Sequence, residues 1–164
     1  MPYIAAVITC SDRAAAGTYD DLSGPTLRDA LRELGFDVAP AAVIPDDGDR
    51  ICEAVRDAIS AGARVIVTTG GTGVSPRDIT VEATRSLLDY ELPGLMEEVR
   101  RRGAETEPRA LLSRGIAGVA SIPGAARAVV LNAPGSRGGA RDTITVVGPL
   151  LHHLVDQLDG GDHP

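Results

Sequence analysis

The first strong pattern along the chain is an unbroken apolar run over residues 3–9 that stops at the polar triplet Ser11, Asp12 and Arg13. A run of that length without alternation is what a strand buried on both faces requires. The period then changes. Leu27, Leu31 and Leu34 recur at helical spacing, with Ser23 as the N-cap, Pro25 in the first turn and Gly35 just past the end. Residues 36–44 predict a second strand, broken by Pro45, Asp46 and Asp47. A second amphipathic helix opens at Asp47 or Asp49, turns Ile51, Ala54, Val55, Ala58 and Ile59 inward and stops at Gly62. Residues 64–68, RVIVT, predict a third strand, followed by the glycine-rich stretch TGGTGVSPRD over 69–78 and a helix with Thr80 as N-cap. A further helix is expected over 93–102. The polar stretch 103–115, GAETEPRALLSRG, carries no usable period. Residues 128–131 predict a late strand ending at Asn132. NAPGSRGG then leads into a helical C-terminus interrupted around Gly148 and Pro149, with the tail fraying from about residue 159. Strands alternating with helices predict βαβ units. The expected fold is a three-layer α/β/α arrangement around a mostly parallel sheet, one domain over residues 1–164.

Composition narrows the chemistry. The 164 residues are 43% hydrophobic and 2% aromatic, so small aliphatic side chains must fill the core. A chain of this size buries roughly 70% of its unfolded surface and needs no disulfide or structural metal. Cys10 and Cys52 have no cysteine or histidine partner at ligand spacing and read as core residues. The net charge of -7 argues against duplex nucleic acid, which requires a basic face. No apolar run approaches the ~18 residues of a spanning helix and the N-terminus lacks a signal-peptide pattern, so a cytoplasmic location is expected. Every basic side chain is arginine, which excludes a mechanism built on a phosphate-binding or Schiff-base lysine. His152 and His153, adjacent on a helix, point about 100° apart and do not share a metal. Arg100, Arg101 and Arg102 read as a solvated helix end.

In open α/β sheets, ligands bind beyond the carboxyl ends of the strands. Four loops there carry candidate residues: Ser11, Asp12 and Arg13; Pro45, Asp46 and Asp47; Gly70, Gly71, Thr72 and Gly73; and Asn132, Pro134, Gly135 and Ser136. A GGTG loop between strand and helix can cradle an anion, because glycines let backbone N–H groups approach phosphate oxygens. It also suits plain tight packing. It matches neither the P-loop nor the dinucleotide-binding fingerprint. Asp78 follows it closely, and Asp46 or Asp47 ends the neighbouring strand. Carboxylates beside phosphates are compatible when Mg²⁺ bridges them, the arrangement of nucleotidyl or phosphoryl transfer. The bland alternatives are a helix cap for Asp78 and a turn with a cap for Asp46 and Asp47. Arg13, Arg77 and Arg137 sit in rim loops and are candidates to grip a phosphate.

The strings VITCSDRAAAGTYDDLSGP, VIPDD, TTGGTGVSPRDITVEAT, LPGL, LSRGIAGV and NAPGSRGG resemble the molybdopterin adenylyltransferases, the Mog and MoaB proteins and the gephyrin G domain of molybdenum cofactor biosynthesis. The resemblance runs over nearly the whole chain, with Val81 and Ala133 as small departures. It implies transfer of AMP from Mg-ATP to the terminal phosphate of molybdopterin, with release of pyrophosphate, by a homotrimer or a hexamer. Asp46 and Asp78 would be the catalytic, Mg²⁺-holding pair. Gly70, Gly71, Thr72 and Gly73 with Ser11, Asp12 and Arg13 would take the nucleotide phosphates, and Asn132, Pro134, Gly135 and Ser136 the pterin. Glu82 reads as structural. A downstream molybdotransferase is an implied partner; neither nucleic acid nor membrane is. The alternative reading is a non-catalytic, oligomeric molybdopterin-binding relative.

Overall fold

The computed structural model describes residues 1–161; residues 162–164 of the expected frayed tail lie outside the described residues. The described residues form seven strands: β1 (Ile4–Cys10), β2 (Asp37–Val38), β3 (Ala42–Ile44), β4 (Ala63–Thr69), β5 (Leu88–Glu91), β6 (Ala117–Ala120) and β7 (Ala128–Ala133). They make one sheet in the order β2-β1-β4-β7-β6-β5, with β3 pairing farther along β1. β2, β3 and β4 run parallel to β1, and β7 parallel to β4. β6 runs antiparallel to both of its neighbours, β5 and β7. The helices are α1 (Asp12–Ala15), α2 (Ser23–Glu33), α3 (Gly48–Ser60), α4 (Thr80–Arg85), α5 (Pro93–Ala104), α6 (Arg137–Val147) and α7 (Leu151–Leu158).

Successive side chains on a strand face opposite ways, so an unbroken apolar strand feeds two cores at once. Ala5 and Val7 of β1, Val65 and Val67 of β4, and Val129 and Leu131 of β7 pack beneath Leu27 and Leu31 of α2, Met96 of α5, Val147 of α6 and Leu151 of α7. Ala6 and Ile8, Ile66, and Val130 face the other way, onto Ile51, Val55 and Ile59 of α3 and Ala83 of α4. These are the three expected layers. Among the described residues no helix is long and apolar enough to cross a membrane.

Several local expectations are corrected. The strand expected over 36–44 is two short strands on the same edge of β1, interrupted around Pro40, whose ring carries no N–H for the ladder. β5 and β6 were not legible as strands: β5 is an exposed edge with an irregular register, and β6 is a four-residue AGVA segment. The polar stretch 103–115 contains a 3₁₀ turn, Pro108–Leu112. Ser23 is the first helical residue of α2 rather than its cap, and Asp21 Oδ1 accepts the Gly24 N–H at 2.9 Å in that role. Thr80 does not cap α4; its side chain is fully buried. Near the tail, Asp159 is gripped by both terminal nitrogens of Arg64 at 3.0 and 2.6 Å. Arg100 is not a solvated helix end, because its guanidinium donates to the Gly115 carbonyl at 2.8 Å. His152 stacks on Phe36 with ring centres 4.4 Å apart and bonds the Leu34 carbonyl oxygen.

Candidate active site

From β1 the chain crosses one face of the sheet through α2 to reach β2; from β4 it crosses the other face through α4. The loops leaving these two adjacent strands therefore diverge and leave a crevice at the carboxyl end of the sheet, the position where open α/β folds bind ligands. A cleft of about 700 Å³ occupies it, lined by the loops after β1, β3, β4 and β7.

The floor is the glycine loop. Gly70 and Gly71 have φ of 91° and 66°, conformations that L side chains rarely adopt. A Cβ on Gly70 would run into the Cys10 carbonyl, and one on Gly71 into the Thr80 hydroxyl. The loop can thus lie flat between β1 and α4 only as glycine. Behind it, burial pushes the Cys10 thiol up to about 12, so it stays protonated and inert.

Three carboxylates meet at one side of the cleft. The loops after β1 and β3 are tied reciprocally: the Asp12 N–H donates to Asp46 Oδ2 at 3.1 Å, and the Asp46 N–H to Asp12 Oδ1 at 3.0 Å. Asp78 closes a small loop on itself, its Oδ2 accepting the Ser75 N–H at 2.9 Å. Arg77, an exposed side chain, pairs with Asp12 across the cleft. These contacts hold Asp12 below the usual carboxylate range, chiefly through the Asp46 backbone bond and then Arg77. Asp46 is pushed upward, first by burial and then by the charges of Asp12 and Asp78, although the Asp12 N–H pulls the other way. Its Oδ1 is buried without a hydrogen-bond partner. A buried carboxylate oxygen without a donor, beside other carboxylates, is an environment that a cation relieves. Among the described residues no three such side chains are placed to hold one metal ion together, these carboxylates included, so a cation here needs further oxygens from a ligand. That donor set fits Mg²⁺, which takes one or two carboxylates with substrate phosphates and water.

The structure brings most of the expected residues to the cleft: Ser11, Asp12, Arg13, Asp46, Gly70, Gly71, Thr72, Gly73, Asp78, Gly135 and Ser136, together with Arg77 and Arg137. It does not bring Asn132 or Pro134. Asn132 is completely buried: its amide donates to the Thr68 hydroxyl at 2.8 Å, and its Oδ1 accepts the Ile116 N–H at 3.2 Å. Pro134 contributes its carbonyl to Thr69 Oγ1 at 2.9 Å and faces a small pocket elsewhere.

Two groups escaped the sequence. Asp21, Ser23, Thr9 and Thr69 line the cleft in one hydrogen-bonded chain, with Thr9 Oγ1 donating to Asp21 at 2.7 Å and Thr69 Oγ1 to Ser23 at 3.0 Å. Arg114 lies outside the lining, yet it donates to the carbonyls of Gly73 at 2.7 Å and Asp78 at 2.9 Å and pairs with Glu82. Glu82 is held below the usual range chiefly by that guanidinium. The polar SRG after an apolar pair was the available signal. It had no periodicity to place it.

A doubly wound α/β protein with a glycine-rich loop and a carboxylate cluster at its switch point has the architecture in which open α/β folds place a ligand site. The family model described as a probable molybdopterin binding domain matches residues 6–153, and the chain belongs to that family. It is 38% identical over 151 residues to the molybdopterin adenylyltransferase of Pyrococcus furiosus, covering 91% of this chain and 87% of that protein. It is 36% identical over 158 residues to a molybdenum cofactor biosynthesis bifunctional protein of Chlorobaculum tepidum, covering 96% of this chain. The chain spans about half the length of that bifunctional relative, 49%. In structure it is similar to the molybdopterin biosynthesis enzyme MoaB of Thermus thermophilus, with a TM-score of 0.86 at 39% identity, over 96% of this chain and 97% of that one.

Proposed function

We propose that the protein acts in molybdenum cofactor biosynthesis as an adenylyltransferase, moving AMP from Mg-ATP onto the terminal phosphate of molybdopterin. The observation that carries this is the buried, unpartnered Oδ1 of Asp46, set among Asp12 and Asp78 beside a glycine loop. Clustered carboxylates repel a ligand that carries an ionised phosphate unless a cation lies between them. A site built around a cation and phosphates accommodates them.

The reaction forms a bond from a molybdopterin phosphate oxygen to the α-phosphorus of ATP. It breaks the bond to the β-phosphate, and pyrophosphate leaves with the electron pair. No general base is needed, because a phosphate monoester is largely ionised at neutral pH. The chain's own part is positioning. Gly71, Thr72 and Gly73 border the space left for the phosphates, while the Gly70 N–H is taken by the Ala133 carbonyl at 3.3 Å; Asp46 and Asp78 would hold Mg²⁺, which when bound neutralises charge on the phosphate oxygens. Arg77 and Arg137 border the same space, and the Arg77–Asp12 pair can be traded for a phosphate contact. The Asp21, Ser23 and Ser136 side of the cleft is left for the pterin. The same reading carries Gly135 in the pterin wall, a homotrimer (or a hexamer), a cytoplasmic location and hand-over to a molybdotransferase.

The test is pyrophosphate release by the purified protein with molybdopterin, ATP and Mg²⁺. Release is expected only with all three present, and to be lost in Asp78→Asn while the thermal midpoint stays within a few degrees. Tight molybdopterin binding without any release would instead identify a binding protein and end the enzymatic reading.

A further inference from the structure

The loop from Gly73 to Asp78 is exposed at its tip, with Val74 70% accessible, and both of its ends, Gly73 and Asp78, line the cleft. Something must hold its two ends at a set spacing. Arg114 spans them: Nε donates to the Gly73 carbonyl, one terminal nitrogen to the Asp78 carbonyl, and the other pairs with Glu82 on α4. Its own N–H donates to the Thr72 carbonyl at 2.8 Å, and Ser113 Oγ lies 3.4 Å from Thr72 Oγ1. The segment 113–114 is thereby docked along the underside of the phosphate loop.

We propose that Arg114 is a positioning residue of the nucleotide site: its three-way fork, anchored by Glu82, sets the distance between the Gly70–Gly73 cradle and the Asp78 carboxylate and so tunes the affinity for Mg²⁺ with ATP. This rests on the adenylyl-transfer reading. The geometry requires a guanidinium. Three acceptors on different sides of one planar group match its rigid donor fork, whereas a lysine ammonium is a point charge that cannot reach all three with that spacing. Neither Arg114 nor Glu82 lines the cleft, so their effect passes through the loop. Partners that orient metal ligands change metal affinity by about 10–100-fold when removed.

The experiment compares the wild type with Arg114→Ala, Arg114→Lys and Glu82→Gln by three measurements: hydrogen exchange of the amides at 74, 75, 77 and 78, Mg²⁺ titration of ATP binding by calorimetry, and pyrophosphate release. Arg114→Ala should speed exchange in the loop and raise the Mg²⁺ concentration for half-maximal ATP binding by about tenfold or more. Arg114→Lys should not restore it, and Glu82→Gln should shift it less, in the same direction. Should Arg114→Ala fail to fold, Glu82→Gln carries the comparison. An unchanged Mg²⁺ midpoint overturns the proposal, whether loop exchange is faster or not, since the contact would then be merely structural. A wild type that binds Mg-ATP yet releases no pyrophosphate defeats the adenylyl-transfer reading alone and leaves the Mg²⁺ midpoint to decide the role of Arg114. A wild type that binds no Mg-ATP overturns both.

Discussion

Asn132 separates a binding role from a structural one. The resemblance assigns it to the pterin wall, while the fold buries it completely between β7, β6 and α4. Truncation in Asn132→Ala removes the acceptor for the Ile116 N–H and the donors to Thr68 and Thr84. Thr84 keeps the Thr80 carbonyl as an acceptor at 2.8 Å, so its loss is small. The Ile116 N–H has no replacement among the contacts that surround it. An unpaired buried donor costs about 1–3 kcal/mol, and each further lost bond about 1 kcal/mol net, which places the whole effect at about 2–4 kcal/mol. For a chain of this size that corresponds to a midpoint lowered by roughly 5–15 °C, at roughly 2–4 °C per kcal/mol. Urea denaturation and differential scanning calorimetry read the loss, and calorimetric titration with molybdopterin at a temperature where the variant is folded reads affinity. The expected result is a large loss of stability with affinity within about twofold. Full stability with binding lost would refute the reasoning and return Asn132 to the pterin site.

Other outcomes follow from the same geometry. Gly70→Ala forces a φ of 91° on an alanine and drives its Cβ into the Cys10 carbonyl, so it should cost at least about 1–3 kcal/mol in denaturant unfolding and abolish Mg-ATP binding. Asp78→Asn should remove pyrophosphate release and spare the fold. The Cys10 thiol sits at about 12 in the fold against an ordinary 9.0. A group raised by folding favours the fold fully below its ordinary value, and that contribution is lost as pH climbs from 9.0 towards 12. Cys10→Ala should therefore flatten the alkaline limb of a stability-against-pH curve; an unchanged limb would assign it to other groups. At about pH 8, below the ordinary thiol value, alkylation followed by mass spectrometry should find native Cys10 unmodified until the chain unfolds.

Residues 3–9 and 64–68 were legible as strands because unbroken aliphatic runs serve two cores, a local property of the sequence. The helices over α2 and α3 were legible because Leu27 with Leu31, and Ile51 with Val55 and Ile59, keep the helical period and end at Gly35 and Gly62, both with positive φ. Asp46, Asp78 and the GGTG loop were found because loops after strands share one rim in a parallel sheet. β5 and β6 escaped because pairing with β7 and with each other, rather than side-chain pattern, makes them strands.

What the chain determined by itself is therefore which segments are apolar, where they stop, and which chemistry lies just beyond. Tertiary structure alone decided which way each rim side chain faces. Asn132 and Asp46 both lie at the carboxyl ends of parallel strands. The pleat of β7 sends Asn132 into the core against Thr68, while Asp46, two residues past the β3 ladder, is held in the cleft by its reciprocal bonds with the Asp12 loop. Arg114 reaches Gly73 and Asp78 across 41 and 36 positions of sequence, a proximity that only the docking of segment 113–114 under the phosphate loop creates.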